Sequence, residues 1–339
     1  MTAEDPGANL SAQLDGPSYL GPATFMKLPL LSEPAELDDQ RPDVAILGAP
    51  WDDGVSHRPG ARFGPRAVRT ATYHAGDWHL DLQIAPFEVL TAVDYGDAAC
   101  APGMAEASHA TIKARVAEIA SRRIVPLVIG GDHSITWPAA TAVADAYGRG
   151  SVGIVHFDAH ADTGIGEWGN LHSHGAPMRR LIESGAVPGR NFVQVGLRGY
   201  WPPRETFVWM QEQGLRWHLM GELLDRGVET VIEQAIQEAL DGPEHIYLSV
   251  DIDVLDPGFA PGTGTPEPGG MQPADLLRAI RNIVLRTDVV AMDVVEVSPP
   301  YDWAELTSQN AHRCLMEAIS ALAVKRLAAR PGQAPPPPA

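Results

Sequence analysis

Between residues 156 and 162 the chain reads His-Phe-Asp-Ala-His-Ala-Asp. Residues two apart in extended chain share a face, so Asp158, His160 and Asp162 would point the same way. Carboxylates and an imidazole crowded on one face repel and desolvate one another unless a cation neutralises them. Mixed oxygen and nitrogen ligands suit Mn, Zn, Ni or Fe better than Ca or Mg. Taken alone, the heptapeptide is equally consistent with a solvated loop after a strand. Two further segments carry similar chemistry. Gly130-Gly131-Asp132-His133-Ser134 brings a histidine out of a glycine pair that lets the backbone turn tightly and crowd another group. Asp251-Ile252-Asp253 again sets two carboxylates on one face.

Each segment follows directly on an apolar run, at residues 152–155, 124–129 and 246–250. Runs of this length between turn residues suit buried parallel strands. In α/β sheets, sites gather at strand carboxyl ends. Residues 44–48, 89–93, 192–197 and 289–297 complete the expected strands, the last carrying Glu296 to its end. Apolar residues at helical spacing predict helices over 104–122, around 228–239 and 276–283, and across 315–322. Such alternation predicts an α/β fold, a mostly parallel sheet with helices on both faces. Strand order is not readable from one sequence.

The chain has 339 residues and a net charge of -18, with 45% hydrophobic residues. That is ample for a packed core, and no apolar run is long enough for a membrane span. The acidity argues against nucleic acid as a partner and favours approach of a cation. Only Cys100 and Cys314 occur, which indicates neither a disulfide framework nor a thiolate zinc site. The N-terminus carries Glu4 and Asp5 and lacks a signal-peptide pattern, so a cytoplasmic protein is expected. Residues 1–42 read as an arm with one apolar knot at 25–29, residues 43–328 as a single catalytic domain, and residues 329–339 as a proline-rich tail. The loop at 54–65 is fixed by glycine and proline. Its His57, Arg58 and Arg62 are candidates for the site and equally for loop-stabilising ion pairs.

Four motifs in order, Gly-Gly-Asp-His-Ser at 130–134, Asp-Ala-His-Ala-Asp at 158–162, Ser-Val-Asp-Ile-Asp at 249–253 and Glu-Val-Ser-Pro at 296–299, resemble the ureohydrolase family of arginases, agmatinases and relatives. The resemblance implies a three-layer α/β/α fold and a binuclear site, usually manganese, with nickel as the alternative. It places one metal on His133, Asp158, Asp162 and Asp251, and the other on His160, Asp158, Asp251 and Asp253. Four aspartates would balance two divalent ions, leaving a bridging hydroxide and a guanidinium to cancel each other. Glu296 is similar to the family's guanidinium-holding glutamate; a buried acid paired with an arginine is its bland alternative. His174, just before Gly175-Ala176-Pro177, matches the family's proton shuttle, with His172 the runner-up. The resemblance also implies homo-oligomers, trimers or hexamers.

Substrate choice is less legible. Arginases carry an acid shortly after the Gly-Leu-Arg element, but here Gly196-Leu197-Arg198 runs into Gly199-Tyr200-Trp201-Pro202. That argues against arginine. Gly-Thr-Gly-Thr-Pro at 262–266 is closer to agmatinases and guanidinobutyrases, which tips the expectation towards agmatine, giving putrescine and urea. The alternative is a guanidino acid, as for a guanidinobutyrase or a proclavaminate amidinohydrolase. Tyr200 and Trp201 are candidates for lining the tail pocket and equally for an interface; Glu167 suits an ammonium tail, Arg204 or His172 a carboxylate. Two rival classes stand beside this reading: a catalytically silent subunit of the same fold, and a deacetylase-like hydrolase with one zinc.

Overall fold

The computed structural model describes residues 18–73 and 76–329. The expected proline tract at 335–338 and the first 17 residues of the arm lie outside them. Eight strands form one sheet: β1 (Val44–Ala49), β2 (Ala92–Asp97), β3 (Val125–Gly130), β4 (Val152–Phe157), β5 (Phe192–Leu197), β6 (Arg216–Leu219), β7 (His245–Asp251) and β8 (Val289–Val295). Their order is β2-β1-β3-β8-β7-β4-β5-β6, and every pairing is parallel. All carboxyl ends therefore lie along one edge.

Strand side chains alternate between two cores, as a sheet covered on both faces requires. Val44, Ile46, Leu127, Ile129, Val155 and Phe157 join the helices Val228–Ala239, Pro273–Arg286 and Leu306–Ala328 in one core. Ala45, Leu47, Val128 and Ile154 face the other, with the helices Ala105–Ala120, Thr136–Tyr147 and Pro177–Glu183. The architecture is the expected three layers.

Two boundaries differ from expectation. Val89 ends a short helical turn opened by Pro86, and the strand begins only at Ala92. An apolar run by itself does not separate a strand from a helical turn. The edge strand β6, Arg-Trp-His-Leu, is too short and too polar to stand out in sequence. The apolar knot at 25–29 lies on its own domain: the Phe25 N–H donates to Asp94 Oδ2 at 2.8 Å, and its ring packs 4.5 Å from that of His312. Among the described residues, no helix is long and apolar enough to cross a membrane.

Candidate metal centre and active site

The four adjacent strands β3, β8, β7 and β4 deliver the chemistry. β3 ends in the glycine pair, and a Cβ on Gly131 would overlap the carbonyl oxygen of Trp51. That crowding is what the pair permits. The backbone then turns so that His133 enters the edge, fully buried. β4 leads into Asp158, β7 ends at Asp251, and β8 leads into Glu296. Asp162 and Glu296 adopt left-handed backbone, at φ 51° and 65°. Non-glycine residues hold such conformations, at about 1–3 kcal/mol each, where the surroundings over-determine them, and functional sites are the usual place.

Donor atoms of His133, Asp158, Asp162 and Asp251 lie within 4.8 Å of one another, and so do those of Asp158, His160 and Asp253. Asp158 belongs to both sets. Asp251 joins the first set within that span and not the second. Backbone amides occupy one oxygen on each of three aspartates: His160 N–H donates to Asp158 at 2.6 Å, Asp253 N–H to Asp251 at 2.8 Å and Ala159 N–H to Asp253 at 3.1 Å.

The protonation pattern tests whether cations fit. His133 Nε2 lies 3.0 Å from Ser249 Oγ, whose hydroxyl donates to Asp293 Oδ1 at 2.8 Å. The serine oxygen must therefore accept from Nε2–H. Burial opposes a charged ring, but Asp158, Asp162 and Asp251 hold the His133 pKa well above its usual value. Nδ1 therefore meets them either with a proton or, when a cation is bound, as a bare lone pair. That nitrogen is buried without a hydrogen-bond partner and faces Asp162, Asp158 and Asp251 oxygens at 2.9, 3.1 and 3.2 Å. Four lone pairs aimed at one point repel unless a cation lies between them. Burial first, then Asp253 and Asp158, push the Asp251 carboxyl well above its usual range. Asp162 and Asp253 move up through burial and the Asp158 charge. The donor set fits divalent cations.

Residues that sequence reading passed over hold this arrangement. His156 Nε2 lies 2.8 Å from Asp158 Oδ2, and Gln194 Nε2 lies 2.9 Å from His156 Nδ1. Tyr247 and Thr136 hydroxyls donate to Asp293 Oδ2 at 2.6 and 2.7 Å. The period-two spacing of His156 from Asp158 was the one available signal; nothing local marks Gln194 or Asp293.

Glu296 is fully buried. Its Oε1 accepts from the His133 amide at 2.8 Å and lies 2.9 Å from His174 Nδ1, while Oε2 has no partner. Burial disfavours a charged His174, but Glu296 beside it prevails and the pKa rises to about 9. His172 lies elsewhere: its ring packs against His109 and Trp137, with centroids 4.8 and 5.4 Å away. Trp201 is partly buried, its ring edge-on to His160 at 6.2 Å, whereas Tyr200 is fully exposed. Arg204 is also exposed. Arg62 pairs with Asp52 and Asp53, the loop-stabilising alternative, while Arg58 lies over the Tyr301 ring and His57 is exposed.

Parallel strands with a buried aspartate-histidine cluster at their carboxyl ends define a three-layer α/β protein with a site suited to divalent cations. The arginase family model matches residues 42–320, and the chain belongs to that family. It is 40% identical to guanidinopropionase of Pseudomonas aeruginosa over 91% of this chain and 93% of that one. It is 36% identical to the mitochondrial agmatinase of Gallus gallus, over 89% and 86% of the two chains. The solved proclavaminate amidinohydrolase from Streptomyces clavuligerus superposes with a TM-score of 0.84 at 35% identity, covering 91% of this chain and 99% of that one.

Proposed function

We propose that the chain is an amidinohydrolase that cleaves a guanidino compound to urea and an amine. The observation that carries this reading is Glu296 Oε2, a buried carboxylate oxygen without a partner. An unpaired buried charge is costly, and a planar guanidinium is the cation whose paired N–H groups match it. His133, Asp158, Asp162 and Asp251 would hold one cation, and His160, Asp158 and Asp253 a second, manganese or nickel. When bound, two such cations would lower the pKa of a shared water and supply hydroxide at neutral pH. Glu296 orients the guanidinium through its free oxygen. The His174 Nδ1–H, held at the other oxygen of Glu296, supplies the proton that the leaving amine needs.

Agmatine is the substrate that the geometry favours. Glu167 packs against Gly175, next to His174, and its Oε2 is buried without a partner, which suits an ammonium tail. A guanidino acid is the second reading, supported by the likeness to guanidinopropionase and proclavaminate amidinohydrolase. Urea release should be assayed over agmatine, 3-guanidinopropionate, 4-guanidinobutyrate, arginine and guanidine, with Mn and Ni each supplied. Urea from none of them would refute the reading; a higher kcat/KM for a guanidino acid would replace agmatine.

A further inference from the structure

Hydrolysis as proposed above needs a route by which protons reach a buried imidazole, and the loop at 54–60 supplies one. His174 is 7% exposed and is held at both ring nitrogens. On the side away from Glu296, Ser56 N–H donates to His174 Nε2 at 3.1 Å, and Ser56 Oγ lies 2.7 Å from the same atom. The charged ring that Glu296 favours would set N–H against N–H at this contact. Bound cations and a guanidinium on Glu296 remove that bias, and in the neutral ring Nε2 carries the lone pair while Nδ1 carries the hydrogen shared with Glu296. Ser56 itself is partly exposed. Its hydroxyl therefore stands between the buried ring and water.

The loop is held to this position from several sides. Gly54 N–H donates to Asp132 Oδ2 at 2.8 Å, and its carbonyl accepts from the His174 amide at 3.0 Å. A Cβ on Gly54 would come 2.5 Å from the His172 carbonyl and 2.8 Å from Asp132 Oδ2, so only glycine fits. Gly60 N–H donates to Asp52 Oδ2 at 2.7 Å, and Arg62 ties Asp52 to Asp53.

We propose that Ser56 is a positioning residue for proton transfer: its amide sets the His174 tautomer, and its hydroxyl passes protons between Nε2 and solvent. The inference rests on the amidinohydrolase reading, and its proton count closes. A guanidinium and one water give urea and an ammonium; a C–O bond forms, and the C–N bond breaks with its electron pair left on the amine. Both water hydrogens end on that nitrogen. One leaves when the water becomes a nucleophile, so one must return. Nδ1–H gives its proton to the amine, while Ser56 O–H gives one to Nε2 and takes another from water. The next water's released proton restores Nδ1–H as Nε2 returns its own through Ser56. A hydroxyl can serve both directions because it donates and accepts.

Ser56→Ala keeps the amide and removes the hydroxyl. In the manganese-loaded enzyme it should lower kcat about ten- to a hundred-fold, at or below the usual range for proton-transfer groups, with KM and metal content nearly unchanged. Ser56→Thr should restore most of the rate, and added imidazole should raise the rate of the alanine variant. An unchanged kcat, or a loss that neither threonine nor imidazole relieves, would overturn the hydroxyl's role. Nitrogen-15 shifts of His174 in the zinc-loaded protein read the tautomer without turnover. A bare Nε2 is expected, and a protonated Nε2 with a bare Nδ1 would overturn the assignment. If the wild type releases no urea from any guanidino compound, the functional reading fails, while the nitrogen shifts still judge what Ser56 does to the ring.

Discussion

His174 Nδ1 lies 2.9 Å from Glu296 Oε1, across 122 positions of sequence. One carboxylate thus serves two purposes: Oε1 orients the imidazole and Oε2 is left for a cation. The two histidines of the loop after β4 are separated by this contact, which His174 makes and His172 does not. His174→Ala should lower turnover about 10²–10⁴-fold with metal retained. His172→Ala should do far less. The opposite ranking would move the proton-transfer role to His172.

Removing metal should destabilise the fold. Asp158, Asp162, Asp251 and Asp253 are all buried within a few ångströms of His133 and His160, and without cations their charges face one another. Chelation should lower Tm, and manganese should restore it in a concentration-dependent way. Asp158→Ala and Asp251→Ala should lose metal and activity; full occupancy in both would contradict their assignment as ligands.

Asp293 acts on the site only through other residues. Asp293→Ala would leave the Ser249, Thr136 and Tyr247 hydroxyls buried without their acceptor. At about 1–3 kcal/mol for each unsatisfied group, unfolding free energy should fall by about 3 kcal/mol or more. Ser249 would also be free to donate to His133 Nε2, which favours the wrong tautomer. Metal affinity should then drop about ten- to a hundred-fold, as for other outer-shell losses. Denaturant melts and metal titration of the variant measure the two effects separately.

Acid should weaken the packing of the C-terminal helix. Burial raises the Glu317 pKa, but hydrogen bonds from His79 and Arg281 outweigh it and hold the pKa below 4.5. A depressed folded pKa means stability that is present above the unfolded value and lost as pH falls through the folded one. The stability difference between wild type and Glu317→Gln should therefore be full at pH 6 and shrink below about pH 4.5. A difference independent of pH down to pH 3 would contradict this.

The motif residues were legible because each sits beside a strand end, where a period of two and a run of apolar residues are local properties. His133, Asp158, Asp251 and Glu296 could be placed at carboxyl ends before any strand was paired with another. What sequence could not supply was the order β3-β8-β7-β4, which brings those four ends side by side. Strand order is decided by which helices cover which face, a property of the whole chain. The same holds for His174 against His172. The Gly175-Ala176-Pro177 segment favoured His174 only by resemblance, whereas the loop at 54–60, folded over from β1, gives it Ser56 and the end of β8 gives it Glu296 as partners. Gln194, Asp293 and Ser56 were silent for that reason: each acts through a contact whose partner is distant in sequence, and no local pattern encodes it.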